Sequence, residues 1–212
     1  MDAPTPAAPH PRRLIVAITG ASGAIYGVRA LELLRARGDV QTHLILSASG
    51  ARTLAEETDF SLAQVKALAD HVHHARDIGA AIASGSFTTL GMLVAPCSVK
   101  TLSGIAHCYD DELVVRAADV CLKERRRVVL LFRETPLHAG HIALMDQATR
   151  NGAIIMPPVP AFYQRPATVQ DIVDQTVARA LDLFDLDSPV VKRWDGGLRG
   201  RARPDADDGE EA

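Results

Sequence analysis

The runs RLIVAIT (13–19), GMLVAPC (91–97) and RVVLLF (127–132) are apolar almost throughout, without the alternation of a strand wetted on one face. Strands of that kind are covered on both sides, the condition of a parallel sheet lying between two layers of helices. The intervening sequence supplies those helices. SGAIYGVRALELLRARG (22–38) has helical spacing and closes on Gly38, and helical material runs from Ala51 to Ala69. ELVVRAADVCLKERR (112–126) places Leu113, Val114, Ala117, Ala118 and Cys121 at helical spacing, and TVQDIVDQTVARALDLF (168–184) repeats the pattern. THLILS (42–47) reads as a second strand, AIIMPPVP (153–160) as a last short strand stopped by prolines, and 70–87 as a short strand or loop before a brief helix. The βαβα order predicts an α/β fold, a three-layer doubly wound parallel sheet of the Rossmann or flavodoxin kind, whose ligands bind beyond the carboxyl ends of the strands.

With 212 residues, 47% of them hydrophobic, the chain can bury one ordinary core. A single domain from 13 to 194 is expected, with a disordered arm (1–12) and a disordered polar tail (195–212). A net charge of −3 and 4% aromatic residues argue against a nucleic-acid partner. No run approaches the roughly 18 uninterrupted apolar residues of a membrane span, and the start MDAPTPAAPHPRR lacks the apolar centre of a signal peptide. Cys97, Cys108 and Cys121 are odd in number and form no C-x-x-C pair, which fits a reducing compartment. A cytoplasmic location, no membrane contact and a small-molecule ligand are the resulting expectations.

The strand ends carry the polar groups. After the first strand comes Thr19-Gly20-Ala21-Ser22-Gly23, where glycines admit a ligand to the backbone and a helix start offers N–H groups to an anion; a tight turn with Ser22 as helix cap fits equally well. A dinucleotide fingerprint would require glycine at position 22 and an acid where Ser47 ends the second strand. The Tyr-x-x-x-Lys of short-chain dehydrogenases is missing, since Tyr109 is followed at that spacing by Leu113 and Tyr163 by Ala167, and no G-x-x-x-x-G-K-[ST] exists. A mononucleotide such as FMN remains, with Ser47 and Ser98-Val99-Lys100-Thr101 supplying hydroxyls and amides, unless these serines serve only as caps. Arg133 and Glu134 follow the strand 127–132, as ligand groups or as a surface ion pair; Arg116 and Lys123 share a helix face two turns apart. His71, His73 and His74 read as a solvated loop rather than a zinc site, His138 and His141 lack a third ligand, and Cys97 reads as a buried apolar residue, so no metal is expected.

Taken together, GASGAIYG, ETDFS, PCSVKTLSGIA, RAADVCLKERR, RETPLHAGH and PPVPAFY resemble the UbiX-type flavin prenyltransferases, in family order, from about Arg13 to Trp194. The resemblance implies an enzyme that joins the dimethylallyl group of dimethylallyl phosphate to reduced FMN, through flavin N5 and then ring closure onto C6. The product, prenylated FMN, serves UbiD-type decarboxylases. It also implies a large homo-oligomer, a dodecamer, with sites at subunit contacts. Carried over by motif, Gly20, Ala21, Ser22, Ser47, Ser98 to Thr101 and Arg133 resemble the FMN contacts. Tyr163 and Arg179 resemble dimethylallyl-phosphate contacts, with Lys123, Arg133, Glu134 and Ser22 around the same phosphate and Glu57, Arg116 and Trp194 as active-site neighbours. Ala48 stands where relatives often carry lysine. Departure of an allylic phosphate calls for cations, here Lys123, Arg133 and Arg179, and proton transfer calls for an acid such as Glu57 or Glu134. An FMN-dependent cysteinyl decarboxylase on the same fold and a non-catalytic flavin carrier are the competing readings.

Overall fold

The computed structural model describes residues 11–188. The expected arm up to residue 10, the expected tail and Trp194 lie outside the described residues. Six parallel strands, β1 (Arg13–Ile18), β2 (Gln41–Leu46), β3 (His71–His73), β4 (Gly91–Cys97), β5 (Arg127–Phe132) and β6 (Ile154–Ile155), form one sheet in the order β3-β2-β1-β4-β5-β6. That is the doubly wound order, and its direction reverses between β1 and β4, where Leu14 lies opposite Gly91 and Ala17 opposite Val94.

Alternation along each buried strand divides the core in two. Leu14, Val16 and Ile18 of β1, with Leu44, Leu93 and Leu131, face α1 (Ala24–Arg37), α2 (Ala48–Glu57), α3 (Leu62–Ala67) and α7 (Val169–Asp182). Ile15 and Ala17, with Ile45, Met92 and Leu130, face α4 (Val99–His107), α5 (Leu113–Lys123) and α6 (Ala139–Arg150). On α1 the buried stripe is Ala24, Val28, Leu31 and Leu34, whose two leucines contribute roughly 1.5–3 kcal/mol each by leaving water.

Four boundaries differ from the expectations. The helix expected over 22–38 begins at Ala24, because Gly23 stands at φ 101°, a left-handed conformation that glycine adopts without a side-chain clash. The helical stretch expected over 51–69 is two helices: Thr58 is extended, and Ser61 with Gln64 forms a capping box that starts α3. Of the short strand or loop expected after residue 70, His71–His73 is the strand, β3, at the sheet edge and so not the solvated loop read for its histidines, and the brief helix expected after it is a 3-10 turn at Ala81–Ala83. The strand expected over 153–160 pairs only at Ile154–Ile155, where prolines soon remove the donors a longer ladder would need.

Candidate active site

The carboxyl ends of β1 and β4 open at the point of reversal, and three helices, α1, α2 and α4, start around it. The turn between β1 and α1 closes tightly, with the Ala21 N–H donating to the Thr19 carbonyl at 2.9 Å. Gly20 is required there by packing: a Cβ would stand 2.3 Å from the Cβ of Ser49 in the first turn of α2. Ser22 does not cap α1. The cap position belongs to Gly23, and the Gly23 and Ala24 N–H groups donate to Oε2 of Glu57 at 2.7 and 3.2 Å. The anion at this helix start is therefore the protein's own carboxylate, delivered by the end of α2. Burial pushes the Glu57 carboxyl upward, but the Ser22 hydroxyl, the two N–H groups and the nearby Arg133 charge outweigh it and hold the group below the ordinary range.

Arg133 leaves the end of β5, and its N–H donates to the Cys97 carbonyl at 3.2 Å, which ties the two strand ends together. Its guanidinium is exposed and forms no ion pair among the described residues, although its charge reaches both Glu57 and Tyr26. Tyr26, which sequence reasoning did not single out, is half-buried; burial raises its hydroxyl pKa and Arg133 opposes the rise. Glu134 accepts the Thr135 N–H at 2.9 Å and so shapes the turn that follows Arg133.

Both serines expected at strand ends are helix caps. Buried Ser47 accepts the Gly50 N–H at 3.0 Å, which leaves its hydroxyl proton to donate. Ser98 accepts the Thr101 N–H at 3.3 Å and donates to the Thr101 hydroxyl at 3.1 Å. Val99 packs on the core, and the Lys100 ammonium pairs with Glu112 at 2.6 Å. This loop can offer a ligand its Val99 and Lys100 N–H groups, which have no partner among the described residues, and the Thr101 hydroxyl, which accepts from Ser98 and keeps its own proton to donate. A groove of about 590 Å³ runs from Ser47 and Ala48 past Lys66, Val72 and Arg76 to Glu112, a volume within the usual range of small-molecule sites.

The remaining expected residues are not brought to this crevice within one chain. Lys123 ends α5 four residues before β5 begins, so it stands at the amino end of the sheet, 2.5 Å from Glu124. Arg116 is held by Asp110 at 3.0 Å and Asp119 at 3.3 Å. Arg179 lies in the last turn of α7, paired with Asp182 at 2.6 Å; that helix end also points to the amino end, where Asp185 meets Arg127 at the start of β5. Tyr163 is 58% exposed on a 3-10 turn, Phe162–Gln164, beyond β6. Cys97 is buried and its thiol pKa is pushed up by that burial, consistent with a packing role.

The Flavoprotein family model matches residues 3–181. A flavin prenyltransferase UbiX from Escherichia coli (strain K12) is 60% identical over 187 residues, covering 87% of this chain and 99% of the relative. The chain belongs to the UbiX flavin prenyltransferase family. Among solved structures, a UbiX (AnUbiX, PadA1) in complex with FMN and dimethylallyl pyrophosphate superposes with a TM-score of 0.86 at 50% identity, covering 88% of this chain and 98% of the other. A dodecameric FMN-dependent Ubix-like decarboxylase from Escherichia coli O157:H7 gives 0.84 at 50% identity, covering 86% and 98%. Of the UbiX-family stretches in this chain, GASGAIYG, PCSVKT and RETP stand at carboxyl strand ends, ETDFS brings Glu57 to them, and RAADVCLKERR lies apart on α5.

Proposed function

We propose that this UbiX-family chain transfers the dimethylallyl group of dimethylallyl phosphate to reduced FMN, and that the prenylated FMN is used by a UbiD-type decarboxylase. The observation that carries the reading is the Arg133 guanidinium, without an ion pair among the described residues, whose charge reaches Glu57 and its Ser22 contact at the reversal of the sheet. A cation placed there balances the charge that gathers on phosphate as its bond to the allyl carbon breaks. Identity to flavin prenyltransferases over nearly their whole length favours this over a cysteinyl decarboxylase or a carrier.

The residues fit FMN. Two amides unpaired among the described residues (Val99 and Lys100), the spare proton of Ser47 and the groove that Ser47 lines are the partners a phosphate, a ribityl chain and a flat ring system need. Reduced FMN supplies the nucleophilic nitrogen and ring carbon on which the new ring is built. Around it, Glu57 remains ionised under the N–H groups of α1 and orients the Ser22 hydroxyl, so that Ser22 can pass a proton between the crevice and the carboxylate. Glu134 sets the turn that aims Arg133.

Lys123, Arg116, Tyr163 and Arg179 complete the donor site from neighbouring copies in this reading, because their positions within one chain are remote from Arg133. The relative described as dodecameric supports assembly of that order for this chain. The test is phosphate release from dimethylallyl phosphate under anaerobic single-turnover conditions. Release should require reduced FMN and should fall at least tenfold in Arg133→Ala, the loss of one charge-assisted contact. Release that is equally fast without flavin would contradict the proposal.

A further inference from the structure

Thr19 is 1% exposed and makes three hydrogen bonds to a single segment of the neighbouring strand end. Its N–H donates to the Pro96 carbonyl at 3.3 Å, its hydroxyl donates to the same carbonyl at 2.7 Å, and its hydroxyl oxygen accepts the Ser98 N–H at 2.9 Å. These bonds cross the sheet where its direction reverses, between the turn that carries Ser22 and the loop that opens α4. β-branching at Thr19 restricts its χ1 rotation, so the hydroxyl is held rather than sampled.

With the Ser98 N–H taken by Thr19, the Thr101 N–H by the Ser98 side chain and the Leu102 N–H by the Ser98 carbonyl, the first turn of α4 keeps just two amides unpaired among the described residues, Val99 and Lys100. Without the Thr19 hydroxyl, the Ser98 N–H would become a third donor and the loop would keep one of its three bonds to Thr19, the backbone bond to the Pro96 carbonyl. We infer that Thr19 is a positioning residue for the flavin: its hydroxyl fixes Ser98 so that α4 presents the Val99 and Lys100 N–H groups in one orientation. The inference rests on the reading that the 98–101 loop holds FMN.

Three variants test it by FMN titration, followed through the visible spectrum of the bound flavin. Thr19→Val keeps the shape and removes the hydroxyl; the dissociation constant for FMN should rise about tenfold or more and the bound spectrum should shift, while the KM for dimethylallyl phosphate at saturating flavin stays within twofold. Thr19→Ser restores the hydroxyl and should return FMN affinity to within about threefold of the parent. Val128→Ala, a core truncation at the amino end of β5, serves as the control for lost stability and should lower the melting temperature with no loss of FMN affinity. Parent-like FMN binding in Thr19→Val, equal losses in Thr19→Val and Thr19→Ser, or an equal loss in Val128→Ala would each overturn the inference. Failure of the parent protein itself to bind FMN would instead overturn the proposed function.

Discussion

Glu57 occupies the place that a phosphate takes in many strand-turn-helix ligand sites, and it does so with two backbone N–H groups and a serine hydroxyl. The glycine-bearing turn thereby supports a carboxylate through the N–H groups of Gly23 and Ala24. Glu57→Gln keeps the volume and can still accept from Gly23 and Ala24, but it removes the charge. We predict a folded protein with near-parent FMN affinity and turnover reduced at least tenfold, read by steady-state rates beside flavin titration; unchanged rates would return Glu57 to a capping role. The contact was not legible in sequence as a contact, because Gly23 and Glu57 are 34 residues apart and only the fold joins them. What was legible was each residue type at its place: a strand-end arginine at 133, a serine after the turn at 22, and an acid at 57 known by resemblance alone.

Among the elements, α4 offers the cleanest test of how the loop binds. Ser98 stands at φ −80° and ψ 161°, the extended geometry that a following proline demands, and Val99 is the first helical residue, where proline is well tolerated. Val99→Pro should therefore fold and melt like the parent while losing the one N–H under test, weakening FMN binding about tenfold by calorimetry. An undiminished affinity would remove that amide from the site. The edge of the sheet makes a different prediction. His43 of β2 is buried, stacked on His71 at 4.7 Å and on His73 at 5.2 Å, with the Phe87 ring edge-on. Burial first, then the His71, His73 and Arg13 charges, bring its pKa down to about 4, against a smaller opposing effect of Asp70. In the unfolded chain a histidine titrates near 6.5, so between those values the unfolded state binds more protons and stability falls as pH is lowered, by up to roughly 3 kcal/mol. Melting curves between pH 7 and pH 4 should show this decline, flattened in His43→Phe; the same slope in both proteins would show that His43 does not set it. The strands β1, β4 and β5 were legible because their runs are apolar on both faces, whereas β3 has just three residues, two of them histidines, too few for any period to register. The break at 58–61 was signalled by Ser61-Leu62-Ala63-Gln64, a capping-box pattern inside an otherwise helical stretch.

In the whole molecule, the cations that resemblance gathers around one phosphate occupy both ends of the sheet: Arg133 at the carboxyl end, Lys123 and the last turn of α7 toward the amino end. The order of helix and strand already implies it, since a residue that ends a helix just before the next parallel strand stands at that strand's amino end, whereas resemblance to a family names residues without saying which copy supplies them. The surface agrees with assembly. Ile142 on α6, and Val159, Phe162 and Val169 around α7's approach, are all more than half exposed, apolar area that neighbouring copies can cover. If the donor site spans copies, Arg133→Ala and Arg179→Ala chains, each inactive alone, should regain part of the activity when unfolded together and reassembled, because some sites then receive an intact residue from each; mixtures that stay inactive would place both residues in the same chain's site. The central claim is the transfer itself, and the mass of the flavin tests it most directly. After anaerobic incubation of the protein with FMN, a reductant and dimethylallyl phosphate, the extracted flavin should be heavier by one five-carbon dimethylallyl unit less the proton it replaces, with one phosphate released per flavin; flavin recovered at its original mass, with the donor intact, would contradict the account.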